Sequence, residues 1–157
     1  MHIRRATLDD SPLLSSLCMD VQRLHAENHP EIFKMPQRED FAVSFFDEIL
    51  ADPTASSYIA EEEQRAIGYI FCKLFERPES VFTYPNRFLQ IEHISVRPEA
   101  QGHGVGAALI QRAAKLAGEI GVTKIQLSSW DFNTRAHTFF EKHGFAKIEY
   151  RFWSYLK

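Results

Sequence analysis

The stretch "RFLQIEHISVRPEAQGHGVGAALIQRAAKLAGEIG", residues 87–121, constrains this chain more than any other. A β-rich run ends at Pro98. Three glycines follow at alternate positions, Gly102, Gly104 and Gly106, and an Ala-rich run begins at once. In that run Leu109, Ala113, Leu116 and Ile120 share one helical face, while Gln111, Lys115 and Glu119 share the other. Gly121 suits the position after the helix. "KIQLSSW" (124–130) then reads as another strand. A strand, a helix and a strand in one sheet make a right-handed parallel crossover, so the chain belongs to the α/β class. The turn between strand and helix has its own chemistry. Successive N–H groups feeding a helix N-terminus attract an anion, and glycines let the backbone approach a pyrophosphate closely.

The flanking segments give the other elements. "HIRRA" is an opening strand. Thr7 with Asp10 three residues on forms a helix N-cap, Pro12 suits an early helical position, and Leu13, Leu17, Val21 and Leu24 make one apolar stripe ending before Pro30. A second helix is expected over 38–51, with Phe41, Phe45 and Ile49 on one face and Phe46 and Leu50 beside it. "SSYIAEE" and "AIGYIFCKLF" read as a hairpin around "EEEQR". "ERPESVFTYPN" is too long for a hairpin turn and reads as a pocket-edge loop. In the next strand the apolar residues change phase: Leu89 and Ile91 share one face, Ile94 and Val96 the other. That pattern calls for a β-bulge near Glu92–His93 or burial on both faces. Asn133 caps a short helix ending near His143 and Gly144, and "FAKIEYRFWSYLK" reads as one bent strand to the end. The expected order is β-α-α-β-β-β-α-β-α-β.

One domain over 1–157 fits the length, since 157 residues bury a real core but not two. Net charge is −3, which argues against nucleic acid as the main partner. No apolar run approaches membrane-spanning length and the first residues lack a signal-like stretch, so a reducing cytoplasm is the default and no membrane partner is expected. Cys18 and Cys72 form no C-x-x-C pair, which disfavours a disulfide framework or a Cys-rich metal site.

Three kinds of glycine turn compete. A phosphate loop of the G-x-x-x-x-G-K-[ST] type fails, because Ala107 and Ala108 follow Gly106 with no Lys and no hydroxyl. Gly102, Gly104 and Ala107 satisfy G-x-G-x-x-G/A formally. The turn is too far from its strand for that fingerprint, however, and no acidic residue ends a second strand about 20 positions on. The third kind is a resemblance. "QGHGVGAAL" fits Q/R-x-x-G-x-G/A through Gln101, Gly104 and Gly106, and "NTRAHTFFEKHGF" is similar to N-x-x-A-x-x-F-Y-x-K-x-G-F. In this order and spacing the two segments resemble the GNAT superfamily of N-acetyltransferases, and the likeness extends over nearly the whole chain.

The resemblance implies a central mixed, mostly antiparallel sheet with two splayed parallel strands, flanked by helices. It implies acetyl-CoA as co-substrate, its pantetheine arm lying in the gap between "IEHISV" and "KIQLSSW". Ile94, Ser95 and Val96 would then meet the arm. Gln101, Gly102, His103, Gly104, Val105, Gly106 and Ala107 would hold the pyrophosphate. Asn133 would contact the arm, and Ala136 and Phe140 would pack on the cofactor. The reaction implied is direct attack of a primary amine, on a small molecule or peptide, at the thioester carbonyl. An amine of pKa ~8 to ~10.4 must lose a proton first, so a general base is needed. Glu92 is the candidate; alternation points its neighbour His93 to the other face. One departure stands out. Where the family commonly has a Tyr that protonates the leaving thiolate, this chain has Phe140. Tyr155, His137 and Ser128 are alternative donors, and a second reading is an acyl-CoA-binding module without efficient catalysis.

His25 and His29 lie one helical turn apart, but without H-E-x-x-H order or a third ligand, so no metal is expected. His29 and Phe33 fit better in a substrate-side loop, with His25 and Glu31. Tyr84, beside Phe82, is placed as a second wall of the acceptor pocket. The exposed edge of the C-terminal strand can join a second subunit, which makes a homodimer the expected assembly if any.

Overall fold

The computed structural model describes residues 1–156. Its first helix starts where Thr7 and Asp10 place it. Asp10 accepts from the Thr7 N–H at 2.7 Å and the Thr7 hydroxyl at 3.0 Å, and takes both ends of the Arg4 guanidinium at 2.8 Å. A short 3-10 turn at Leu8–Asp10 leads into α1, Ser11–Asn28. α2 spans Val43–Ala51, later than the apolar stripe suggests. The reason lies in Ser15, whose hydroxyl donates to Glu39 O at 2.6 Å and accepts from Ala42 N at 3.0 Å. Those two bonds hold 39–42 as a turn before the helix can begin.

The strands are β1 (His2–Arg5), β2 (Ala55–Glu62), β3 (Arg65–Arg77), β4 (Asn86–Val96) and β5 (Ile125–Leu127). They form one sheet in sequence order. β1 to β4 pair antiparallel, and only β4–β5 is parallel. The parallel pair is joined by α3, Val105–Glu119, as the crossover requires. α4, Thr134–Lys142, follows β5. The sheet separates two cores. Ile70, Cys72, Leu89 and Ile91 pack under α3 with Leu109, Ala113 and Leu116. Tyr69 and Phe71 pack on the other face with Leu14, Leu17 and Phe46 of α1 and α2. Cys18 and Cys72 are buried free thiols, and burial pushes the Cys72 thiol up to about 12.

Two strand expectations are corrected. β5 covers only Ile125–Leu127 rather than 124–130, because its partner β4 turns away beyond that point. The C-terminal run is no strand: residues 145–156 have no regular structure, and Phe145 N to Phe140 O, 3.1 Å, is the last backbone hydrogen bond among the described residues. Alternating apolar residues make a strand only where a neighbouring ladder completes it, and none does so here.

Candidate active site

The site begins at the bulge. In the β3–β4 ladder Phe71 pairs with His93 and Cys72 with Ile91, so Glu92 is the extra residue. The extra residue accounts for the change of phase. It rotates the rest of β4 by one position, so Ile94 and Val96 pack against the same α3-side core as Leu89 and Ile91. The backbone changes parity too. Before the bulge Leu89 N donates toward β5, to Lys124 O at 3.0 Å. After it, Arg97 N donates to Ile67 O at 2.9 Å, which makes the odd-numbered residues of this half the ones bonded to β3. The N–H and C=O of Ile94 and Val96 therefore point away from β3. β5 does not meet them, since its pairing ends at Ile91–Leu127. Parallel strands that part at Glu92 leave a gap lined on one side by the unpaired N–H and C=O of Ile94 and the unpaired N–H of Val96, whose C=O is taken by the Gln101 side chain. Ser95 falls out of this set: its peptide faces β3, and its buried hydroxyl donates to Leu17 O at 3.2 Å.

The mouth of the gap is the glycine turn. A 3-10 turn at Pro98–Ala100 leads to Gly102 and Gly104, at φ +85° and +82°. The Gln101 amide donates to Val96 O at 2.9 Å and ties the turn to the end of β4. The first helical bond runs from Ala108 N to Gly104 O, 3.0 Å, and no hydrogen bond of the described residues uses the N–H groups of 102–107. Six free donors, at the positive end of α3, fit a pyrophosphate. Gly106 serves a different need: a Cβ there would stand 3.0 Å from the Phe139 ring, so it lets α4 pack on the start of α3. His103 is exposed at the outer rim, beside Glu99 and Arg65.

At the inner end of the gap stands Glu92. Its carboxyl is exposed, yet partial desolvation raises its pKa above the ordinary 4.5, against the pull of Lys73. His93 points the other way, as alternation demands. It lies among Phe45, Phe46, Tyr69 and Phe71, stacked on Phe45 at 5.6 Å, with Tyr69 Oη 3.2 Å from Nδ1. Desolvation, then the nearby His25, pushes its pKa down to about 4, so the ring is neutral at pH 7 and a weak base.

α1 runs across the sheet and ends beside the loop after β5. There His25 and His29 meet Phe33, Trp130 and Phe132, with ring centroids 4.9 to 5.6 Å apart. His29 Nδ1 lies 3.0 Å from Glu31 and Nε2 4.0 Å from Asp131. His29 and Phe33 are thus brought together as expected. Trp130 and Phe132 were not singled out from the sequence; two aromatics at i and i+2 just past a short strand were the available signal. Tyr84 is not in this group. It is 87% exposed, just before the far end of β4, with Arg77, Thr83 and Asn86; Asn86 alone is six strand residues, about 20 Å, from Glu92. Among the described residues no cluster of three or more His, Cys, Asp or Glu has metal-binding geometry.

A model of the acetyltransferase (GNAT) family matches residues 19–145. The chain belongs to the GNAT family. An uncharacterized N-acetyltransferase of Archaeoglobus fulgidus is 26% identical over 156 residues, 95% of each chain. The thialysine N-epsilon-acetyltransferase of Bos taurus is 32% identical over 65 residues, which cover 41% of this chain but only 38% of that enzyme. Among solved structures, a mutant Bacillus halodurans protein superposes with a TM-score of 0.93 at 21% identity, covering 99% of this chain and all of that one. A predicted acetyltransferase of Clostridium acetobutylicum, solved with acetyl-CoA, gives 0.70 at 20% identity, covering 99% and 95%.

The second GNAT segment forms α4. Asn133 Oδ1 accepts from Ala136 N at 3.3 Å and caps the helix, which leaves its amide nitrogen for another acceptor. Ala136 is half-buried on the α3-side core. Phe140 is 9% exposed in the same core, against Phe139 and Phe145, and offers no proton. Of the alternative donors, His137 is half-buried on α4, while Ser128 and Tyr155 are exposed. No helix of the described residues is long and apolar enough to cross a membrane.

Proposed function

We propose that this chain transfers the acetyl group of acetyl-CoA to a primary amine by direct attack, with both bound at once. The observation that carries the reading is the parting of β4 from β5 at Glu92, with the free N–H and C=O of Ile94 and the free N–H of Val96 on one side and six free N–H groups at its mouth. A pyrophosphate suits the turn, and an extended amide-bearing arm suits the strand edge, where it can pair as another strand would. Acetyl-CoA supplies the reactive thioester. Glu92 stands where the gap closes. As a carboxylate whose pKa partial desolvation raises, it takes a proton from the incoming ammonium, directly or through one water. His93 stays neutral and holds the bulge against Phe45 and Phe46. His29, Phe33 and Trp130 form the acceptor wall, with Glu31 and Asp131 favouring a cation. The acceptor is a small molecule or a peptide amine.

Calorimetry with acetyl-CoA tests the cofactor reading, and absence of binding at millimolar ligand sinks it. Thiol release across amines, peptides and aminoglycosides tests transfer. A second reading rests on Phe140: with no phenol in that place, the chain is an acyl-CoA-binding module. A thiol of pKa ~8.5 leaves readily enough for water to serve as the proton source, which favours the enzyme. CoA binding with no turnover on any acceptor would favour the module.

A further inference from the structure

Beside Glu92 the sheet carries a polar row with no part in either core. Leu89, Ile91, Ile125 and Leu127 pack under α3, so Gln90 and Gln126 between them face the other side. There Gln90 pairs with Lys73 of β3 and with Gln126 of β5, which sets three polar side chains abreast across three strands. The apolar core under α1 and α2 draws on β2 and β3 and takes no residue of β4 or β5. The row is bounded at its far end by Phe75 and Phe88, stacked at 5.6 Å. On the β3 side it is bounded by Lys73, held by Asp52 at 2.7 Å. The chain leads from Gln126 to Trp130, so the row adjoins the aromatic wall around His29.

Gln90 is only 9% exposed, yet its amide is unmatched. The nitrogen comes no nearer a carbonyl than 3.4 Å, at Ile91 O, and among the described residues the amide oxygen receives no hydrogen bond. Gln126, half-buried beside it, likewise makes no side-chain hydrogen bond among the described residues. A buried amide left unpaired costs stability, so glutamine here serves a group from outside the chain. Lys73 links the row to the site, for it lies beside Gln90 in the ladder and close enough to Glu92 to act on its carboxyl.

We propose that Gln90, with Gln126 beside it, is a second anchor for the amine substrate: it binds a neutral hydrogen-bonding group, a hydroxyl or an amide, carried about 6–7 Å from the reacting nitrogen. The spacing is that of two strand residues, Gln90 to Glu92. This rests on the acetyl-transfer reading given above. A carboxamide offers both a donor and an oxygen without charge, and hydroxyls and amides return both. Lys73 already has Asp52 for a partner, so the row selects neither an anion nor a cation. A substrate lacking the polar group strips water from the Gln90 amide and leaves it unmatched, which is how such a site discriminates.

Three amines of similar shape test it on the full chain: 4-amino-1-butanol, 4-aminobutanamide and pentylamine, the last with a methyl in place of the polar group. Thiol release from acetyl-CoA should give a kcat/KM for the better polar amine about tenfold or more above that for pentylamine. Which polar amine leads tells a hydroxylated substrate from a peptide-like one. Gln90→Leu should bring the ratio close to one and leave the Kd for CoA unchanged. A second measurement needs neither variant nor turnover. In nitrogen-15-labelled protein saturated with CoA, the Gln90 side-chain amide signals should move on adding a polar amine and stay in place with pentylamine. Equal kcat/KM for all three amines overturns the proposal, as does a preference that survives Gln90→Leu. Gln90 signals unmoved by both polar amines overturn it too. Signals that move as expected, with no thiol released from any amine, support the anchor and remove the acetyl-transfer reading instead.

Discussion

Gly104→Ala isolates the backbone of the turn. Gly104 stands at φ +82°, ψ 0°, the left-handed region, and a Cβ there would find no atom within 4 Å. The substitution therefore adds no clash and removes no contact. It adds only the cost of a left-handed residue with a Cβ, about 1–2 kcal/mol. The chain relieves that cost by rotating Gly104 to negative φ, which swings the following N–H groups away from their common focus. If those groups hold the pyrophosphate, the cost reappears in binding, because CoA must pull the turn back. A penalty of about 1–2 kcal/mol is roughly 5- to 30-fold in Kd. Gly118→Ala is the matched control. It lies inside α3 with φ outside the left-handed region and open space around its Cβ. It should leave Kd unchanged and raise stability by up to about 1 kcal/mol through helix propensity. Calorimetry gives Kd and thermal melts give stability. Unchanged CoA affinity in Gly104→Ala, whatever its melting point, would mean that the turn amides do not hold the pyrophosphate.

Glu92→Gln should lower kcat/KM most at low pH, where the amine is most protonated and the base matters most; an unaltered pH–rate profile removes Glu92 from the role. Asp10 is held down to about 2 from 3.8, chiefly by its hydrogen bonds to Arg4. A depressed folded pKa contributes stability that is full above the unfolded value and lost as pH falls toward 2, so Asp10→Asn should cost about 2 kcal/mol at pH 7 and little at pH 2. A melting difference that does not shrink with acid contradicts the pairing. Trp130→Ala should raise the acceptor KM several-fold and leave CoA affinity alone; an equal loss in both would mean the aromatic cluster supports the fold rather than the acceptor.

Periodicity made the bulge legible. A strand whose apolar residues move from odd to even positions between Ile91 and Ile94 must gain a residue or be buried on both faces, and one ladder count at Phe71–Cys72 decided for the extra residue. The glycine turn was equally legible, because left-handed backbone and close helix packing both demand glycine. Half of the aromatic cluster, Trp130 and Phe132, was hidden for the opposite reason. They come from a segment far along the chain from His25, His29 and Phe33, and no local period relates the two. Ser95 looked like its neighbours Ile94 and Val96 until the ladder parity turned its peptide toward β3. Tyr84 lies in a loop whose direction no pattern sets. The C-terminal segment reads as a strand because its alternation is real, but pairing is a property of two segments and the sequence shows only one.

The central claim is that the turn at 102–107 and the unpaired edge of β4 together hold acetyl-CoA. Titrating CoA into nitrogen-15-labelled protein and following the amide signals tests it most directly. The largest shifts should fall on the N–H groups of 102–107, with Ile94 and Val96 also moving and Ser95, bonded to β3, moving least of its neighbours. Saturation by CoA with the turn amides and Ile94 unmoved, or with shifts concentrated elsewhere on the sheet, would contradict it.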